Sequence, residues 1–439
     1  MNKAMMTSTV RILVFGSFLA IALLGCDNPL NVYPRDSISP EDMGQNDIEQ
    51  LLNGTYLSFQ NAGGHRNVVV FDIMGGNLEP PSGSGAATRY EILRGEIDPR
   101  DGILTDMWNG YYAALYRANT LLDVLDNLED TRRNQEIRGI AHYLRAYGYY
   151  GLVVRFGGVP ILRENTRQQL PRNTEEQVWD FIQEELELAM ELAPSYGANS
   201  DYYYVTSEAA QALMARVALT VGNNELAVQL AEDLIGSGHF QLASNYSGIF
   251  HSGTNSETIF AFRNLQTEGV PQGGQFTPTN FPSGGSYFFV PTQEAMDMFA
   301  SSDTRRLAAF TFQGLFPMVN KYRGGLQGGD PVIVSRIAEL YLISAEAQGP
   351  AGINRLNQLR SLRGLQPLPS ITEEEDYLAA ILQERNKELI WENFRFYDLV
   401  RTGRALAELE HFNSEHLLKL PIPVRELDLN PLLEQNPGY

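Results

Sequence analysis

Two adjacent stretches of helical periodicity set the framework. Over 104–128 the residues Trp108, Tyr112, Leu115 and Leu122 recur at helical spacing, and over 133–156 Ile140, Leu144, Tyr147 and Leu152 do the same. Helices this long are held by the apolar stripe they bury, so each stripe needs a partner layer. Gly157-Gly158-Val159-Pro160 ends the second helix. A third, over 174–192, starts with Thr174-Glu175-Glu176-Gln177, the spacing of a capping box. Segments 206–221 and 224–235 make a helical hairpin across Gly222-Asn223, with small residues at the helix contacts. That pair looks like one tetratricopeptide-type repeat, and 332–348 with 351–362 offers a second candidate pair. Further helices are expected over 41–60, 373–391 and 394–409. The fold class is therefore mainly α, built from stacked helical hairpins.

Composition closes off several other classes. Of 439 residues, 43% are apolar, 10% aromatic and one is cysteine, while 33 Lys+Arg face 53 Asp+Glu for a net charge of -20. Disorder needs fewer apolar residues, a disulfide scaffold needs more cysteines, and nucleic-acid binding needs a basic stretch that this chain lacks.

The amino terminus has its own logic. Basic residues in MNKAMMTSTVR precede the apolar run ILVFGSFLAIALL, and Gly25 precedes the lone Cys26. The run is too short to span a bilayer and ends at a small residue, as an export signal does. Leu23-Leu24-Gly25-Cys26 resembles the lipobox of bacterial lipoproteins, which makes Cys26 the expected acylated first residue of the mature chain. Residues 1–25 are then a signal peptide and 26–40, with three prolines, a tether. No later segment carries the roughly 18 consecutive apolar residues of a spanning helix, so membrane attachment is expected through lipid alone. Removing 1–25 takes Lys3 and Arg11 and no acid, so the charge moves from -20 to -22.

Residues 41–439 are expected to form one domain, with helical-repeat portions at about 41–236 and 331–410. Between 238 and 330 the helical period fails and Ser, Asn, Gly, Gln, Pro and Thr dominate. Short strands, at 258–263 and 287–290, joined by long loops are expected there, and long loops in such a domain build binding faces. The tail, 411–439, is rich in Pro and Leu and is expected to be extended and packed on the body.

Several segments together resemble one family, the SusD/RagB-like outer-membrane lipoproteins of Bacteroidetes. They are the lipobox, VYPRDSIS at 32–39, MWNGYYAALYRANTLLD at 107–123, RGIAHYLRAYGYYGLVVRFGGVPIL at 138–162, SRIAELYLISAEA at 335–347, ERNKELIWENFRFYDLVRTGR at 384–404, and LPIPVRELDLNPLLEQNPGY at 420–439. The resemblance implies a SusD-like fold in which four tetratricopeptide-type helix pairs support a loop-rich variable region. It also implies a glycan-binding function, in partnership with a SusC-like TonB-dependent outer-membrane transporter, on the exterior face of the outer membrane. Peptide capture is the alternative that other relatives suggest, and a structural lid with little ligand affinity of its own is a third reading.

No catalytic residue, cofactor or metal ligand is indicated. His65, His142, His239, His251, His411 and His416 form no HExxH, and neither a G-x-S-x-G elbow nor a phosphate-cradling loop occurs. Sugar recognition uses aromatic faces ringed by polar side chains, and the loops supply both. The candidates are Arg66, Asn67, Asp72, Asn77 and Tyr90 in the Gly-rich stretch, and Phe276, Phe281, Tyr287, Phe288 and Tyr322 in the variable region. Trp108, Trp179 and Trp391 sit on strong helices and read as packing residues. The array Glu384, Arg385, Glu388, Arg395, Asp398 and Arg401 reads as a structural ion network in which the like-charged Glu384 and Glu388 need a partner from elsewhere. The acidic balance favours a neutral glycan over a polyanionic one and gives no role to nucleic acid.

Overall fold

The structure is a computed structural model describing residues 43–62, 69–81, 95–197, 200–251, 255–265, 272–278, 284–324 and 329–439. The signal peptide, Cys26, the tether, Arg66, Asn67, Tyr90 and Phe281 lie outside the described residues. Residues Gln45–Tyr439 hold together as one unit.

The helices, in chain order, are α1 (Ile48–Gln60), α2 (Gly102–Asp126), α3 (Arg132–Phe156), α4 (Glu175–Leu192), α5 (Ser207–Thr220), α6 (Asn224–Ser237), α7 (Ile337–Ala347), α8 (Ile353–Leu362), α9 (Glu374–Glu388) and α10 (Arg395–Arg401). Each of the first seven packs on the next, and α8 and α9 cover α7. The capping box at Thr174 and Gln177 forms as its spacing predicts. Asp101 and Thr131 cap α2 and α3 in the same way, by accepting from backbone N–H groups of the first turn.

Helix α3 is enclosed by α2 on one side and α4 on the other, and the sequence accommodates both contacts. A Cβ at Gly139 would lie 2.2 Å from the backbone N of Ala193, and one at Gly151 would lie 2.3 Å from the Tyr111 ring. Polar residues on this buried helix are paired in turn. Arg145 clamps both oxygens of Glu185 at 2.6 Å each, and His142 Nδ1 approaches the same carboxylate at 2.9 Å.

Helix α6 ends where the variable region begins, and α7, which resumes the helical stack, packs directly on α6. The segment between them takes part in three small antiparallel pairings, one of them with a strand that precedes α2. Strand β1 (Leu78–Glu79) pairs with β3 (Val290–Pro291), β2 (Thr258–Phe262) with β6 (Val332–Arg336), and β4 (Phe310–Gln313) with β5 (Phe316–Val319).

Several boundaries differ from the sequence reading. The expected helix over 332–348 begins only at Ile337, because the β-branched run Val332-Ile333-Val334 pairs with the fully buried β2. The expected helix over 394–409 breaks after Arg401 at Gly403, whose φ of 70° is left-handed, and resumes as Ala405–Glu408. The helix expected over 373–391 stops at Glu388, and the first one starts at Ile48. Of the strand expected over 287–290, only Val290 pairs, with Pro291 beside it. The tail packs on the body, with Leu420 and Ile422 buried, but is not wholly extended, since Glu415–Leu418 and Val424–Leu429 are short helices.

Trp108, Trp179 and Trp391 are all buried. The ion array locks the last helices to the variable region. Arg305 supplies the partner that Glu384 and Glu388 require, with Nη1 at 2.7 and 2.9 Å from their carboxylates. Arg385 bonds to Asp398 rather than to Glu388 one turn on, and Arg401 bridges Asp398 and Glu346.

Candidate functional site

Strands β4 and β5 form a hairpin whose register, Gln313 opposite Phe316, leaves Gly314-Leu315 as a two-residue turn. Gly314 has φ 61°, the sign the first central position of a type II′ turn requires. The root of the hairpin is buried through Phe310, Met318 and Val319. Its outer half is not: Phe312 is 53% exposed, Phe316 59% and Leu315 93%. Paired positions share a face of a hairpin, so Phe312 and Phe316 present their rings on opposite faces.

Tyr287 supports one of those faces. Its hydroxyl donates to the Pro317 carbonyl at 2.8 Å, and its ring stands edge-on to Phe316 with centroids 6.2 Å apart. Its φ of 47° is left-handed, an unusual conformation for a residue with a bulky side chain, and the contact to the hairpin holds it there. Partial burial pushes the phenol up to about 12, so it stays a neutral donor across the physiological range. Phe288 is half-buried beside it, with its backbone N–H donating to the Gln275 carbonyl. Polar groups border the apolar surface: the Arg306 guanidinium lies 5.1 Å from the Phe310 ring, and Asn320 caps the Leu307 carbonyl. Exposed rings with flanking amide and guanidinium groups can hold the C–H face of a sugar and meet its hydroxyls.

The other described candidates are interior. Phe276 is wholly buried and stacks on Tyr322 at 6.0 Å and 21°, and the Tyr322 hydroxyl donates to the Trp391 carbonyl. Asp72 is also wholly buried. One oxygen accepts from Asn77 Nδ2 at 3.0 Å and from the Trp391 N–H at 3.2 Å, and the other accepts from the Asn393 N–H at 2.9 Å. Asn77 donates onward to Asn386. These side chains tie the segment after α1 to the turn after α9. Phe312 and Phe316, by contrast, are not among the contacts that the sequence leads one to expect. The signal that marks them is the pattern FTFQ-GL-FPMV, two alternating runs around a Gly-X turn.

Burial raises Asp72 to about 6, against the lowering effect of its three hydrogen bonds. An amide in its place cannot satisfy the same donors, so Asp72→Asn is expected to cost about 1–3 kcal/mol at neutral pH. Because the folded-state value is raised, the wild-type advantage over Asp72→Asn is greatest below the ordinary 3.8 and shrinks as pH rises through about 6. Urea midpoints of the two proteins at pH 4 and pH 7 check this, and a difference that grows with pH contradicts it.

Among the described residues, no helix is long and apolar enough to cross a membrane, and no group of three or more His, Cys, Asp or Glu is placed to hold a metal ion.

Residues 31–219 match a family model described as starch-binding associating with outer membrane, and residues 315–439 match the SusD family model. A SusD-like protein of Formosa agariphila is 23% identical over 525 residues, covering 96% of this chain and 98% of its own. A SusD-like protein of Bacteroides ovatus is 23% identical, over 76% of this chain and 74% of its own. Among solved structures, a laminarin binding SusD-like protein superimposes with a TM-score of 0.79 at 24% identity, covering 90% of this chain and all (100%) of that one. Surface glycan-binding protein A from Bacteroides fluxus gives 0.78 at 23%, again over 90% and 100%. With both ends of the described body matched and relatives aligned over nearly its full length, the chain belongs to the SusD/RagB family.

Proposed function

We propose that this protein captures a neutral oligosaccharide or polysaccharide at the cell surface and delivers it to a SusC-like TonB-dependent transporter. The observation that carries the reading is the projecting hairpin with Phe312 and Phe316 exposed and Tyr287 braced against it. Family descriptions and the names of the relatives support a carbohydrate ligand and an outer-membrane setting. Arg66, Asn67, Tyr90 and Phe281, together with Tyr287 and Phe288, are proposed as further ligand contacts. Binding without chemistry is what such a surface does. The acylated Cys26 anchors the chain to the outer membrane, facing outward, and 26–40 gives the body reach.

The test is a polysaccharide panel read by affinity electrophoresis or calorimetry. Losing two aromatic faces worth about 0.5–1.5 kcal/mol each predicts that Phe312→Ala with Phe316→Ala weakens the bound glycan roughly tenfold or more. The unfolding free energy should stay within about 1 kcal/mol of wild type, about 0.5 for each substitution, since both rings are more than half exposed. Unchanged affinity in the double variant removes the hairpin from the site. For the anchor, Cys26→Ser is expected to move the protein from the membrane pellet to the soluble fraction, and retention in the pellet would refute lipid attachment at that residue.

A further inference from the structure

Helices α3, α5, α9 and α10 converge on a cavity of about 100 Å³ whose walls include Arg216, Arg385, Arg401, Tyr150, Tyr397 and Phe394. That is room for several waters or one small organic molecule. Arg216 and Arg385 are 6% and 2% exposed. Each is held by a carboxylate along one edge only. Arg216 grips Glu339 through Nε and Nη2, at 2.6 Å each, and its Nη2 also meets the Val334 carbonyl. Arg385 donates from Nε to Asp398 at 2.9 Å.

The remaining edges are open. Among the described residues, Arg385 Nη1 is buried with no hydrogen-bond partner, and neither Arg385 Nη2 nor Arg216 Nη1 bonds to any of them. Both guanidiniums pack on one ring, with their Cζ atoms 4.9 and 6.0 Å from the Phe394 centroid. Arg216 also lies 5.5 Å from the Tyr150 ring. None of the nearby carboxylates bonds to these edges, and each is directed at other donors. Asp398 is shared by Arg385 and Arg401, Glu346 is clamped by Arg401, and Glu392 takes Lys321 and Arg336. An unsatisfied buried donor is expensive, and more so when charged. What the cavity lacks is an acceptor for these N–H groups, and a carboxylate can offer two oxygens to them at once.

We propose that this cavity is a binding site for the carboxylate of a small polar molecule, a sugar acid or an amino acid. One carboxylate group takes the open edges of Arg385 and Arg216, and the aromatic walls take the body of the ligand. The net charge of -20 does not oppose this, because at physiological salt surface charge is screened within about 8 Å while donors in the cavity act at contact. The site is separate from the hairpin and does not depend on glycan capture there.

The purified protein is titrated with D-glucuronate, glycine and glucose at pH 7 and constant ionic strength, read by calorimetry and by the unfolding midpoint. A saturable response to glucuronate or to glycine, absent with glucose, is expected, and the acid that responds identifies the source. Arg385→Lys should weaken that response at least tenfold, while the Phe312→Ala, Phe316→Ala double variant leaves it unchanged. The proposal is overturned if both acids act no differently from sodium chloride, or if Arg385→Lys responds as wild type does. Should Arg385→Lys not fold, a wild-type crystal soaked in the responding acid decides. Carboxylate density within about 3.2 Å of Arg385 Nη2 or Arg216 Nη1 supports the site, and waters alone in the cavity refute it.

Discussion

Replacing Glu388 with alanine is expected to destabilise the protein by about 3–5 kcal/mol, the cost of leaving buried charge uncompensated. The carboxylate is wholly buried and accepts from Arg305 Nη1 at 2.9 Å, Arg336 Nη1 at 2.6 Å, and Arg363 Nε and Nη2 at 3.1 and 2.8 Å. Those three arginines come from the variable region, the start of the α7 segment and the end of α8. Glu388 is thus where separate parts of the chain are joined by charge. Burial alone would raise its carboxyl, but Arg363, Arg336 and Arg305 overcome that and hold it well below the usual range. The stability it contributes is therefore full above the ordinary 4.5 and is withdrawn as pH falls below it. The gap between wild type and Glu388→Ala, measured as a urea midpoint at constant slope, should narrow on acidification. This is opposite in sign to Asp72. A loss under about 1 kcal/mol at pH 7 would mean that the neighbouring carboxylates already satisfy the arginines.

A loss of similar size, about 3–5 kcal/mol, is expected for Trp391→Ala, where cavity formation rather than charge is the cause. The indole is 1% exposed, and its Nε1–H donates to the Ala309 carbonyl at 2.9 Å. Its backbone takes the Tyr322 hydroxyl at the carbonyl and gives its N–H to Asp72. A second variant separates side chain from backbone. Trp391 has φ 65° and Asn393 has φ 67°, a turn that only glycine enters without strain. Trp391→Gly opens the same cavity but relieves the turn, so it is expected to be no less stable than Trp391→Ala, the reverse of the usual order. A Gly variant clearly weaker than the Ala variant would show that the turn relaxes once the indole is gone.

The helical stack was readable because amphipathic periodicity and capping act within a few residues. Thr174 meets Gln177 by local geometry alone, and the long helices are regular over 25 residues each. The need of Glu384 and Glu388 for a cation was equally local, but Arg305, which meets it, is set by tertiary packing and leaves no mark nearby. The start of α7 was misplaced for a related reason. Val332-Ile333-Val334 continues the apolar texture of the helix behind it, and only β2, more than 70 residues earlier in the chain, converts the run to strand. Asp72, Asn77, Phe276 and Tyr322 have the right chemistry and lie in loop-like sequence. Which loop residues turn inward depends on contacts with the turn at 391–393, so composition could not separate them from Phe312 and Phe316.

The contact between α6 and α7 has a consequence for how such a chain can change over generations. The variable region leaves at Ser237 and returns at Val332, yet the helices on either side of that excursion pack together as neighbours. Its two ends are thus fastened to one place on the scaffold, whatever lies between them. Closing a longer loop costs only about 0.6 kcal/mol for each doubling of its length. Insertions and deletions in the displayed loops are therefore cheap for the stack, provided they spare Glu257, Arg305 and Lys321, which belong to the ion network. Selection can rewrite the surface that meets the ligand while the ion network and helix order remain in place.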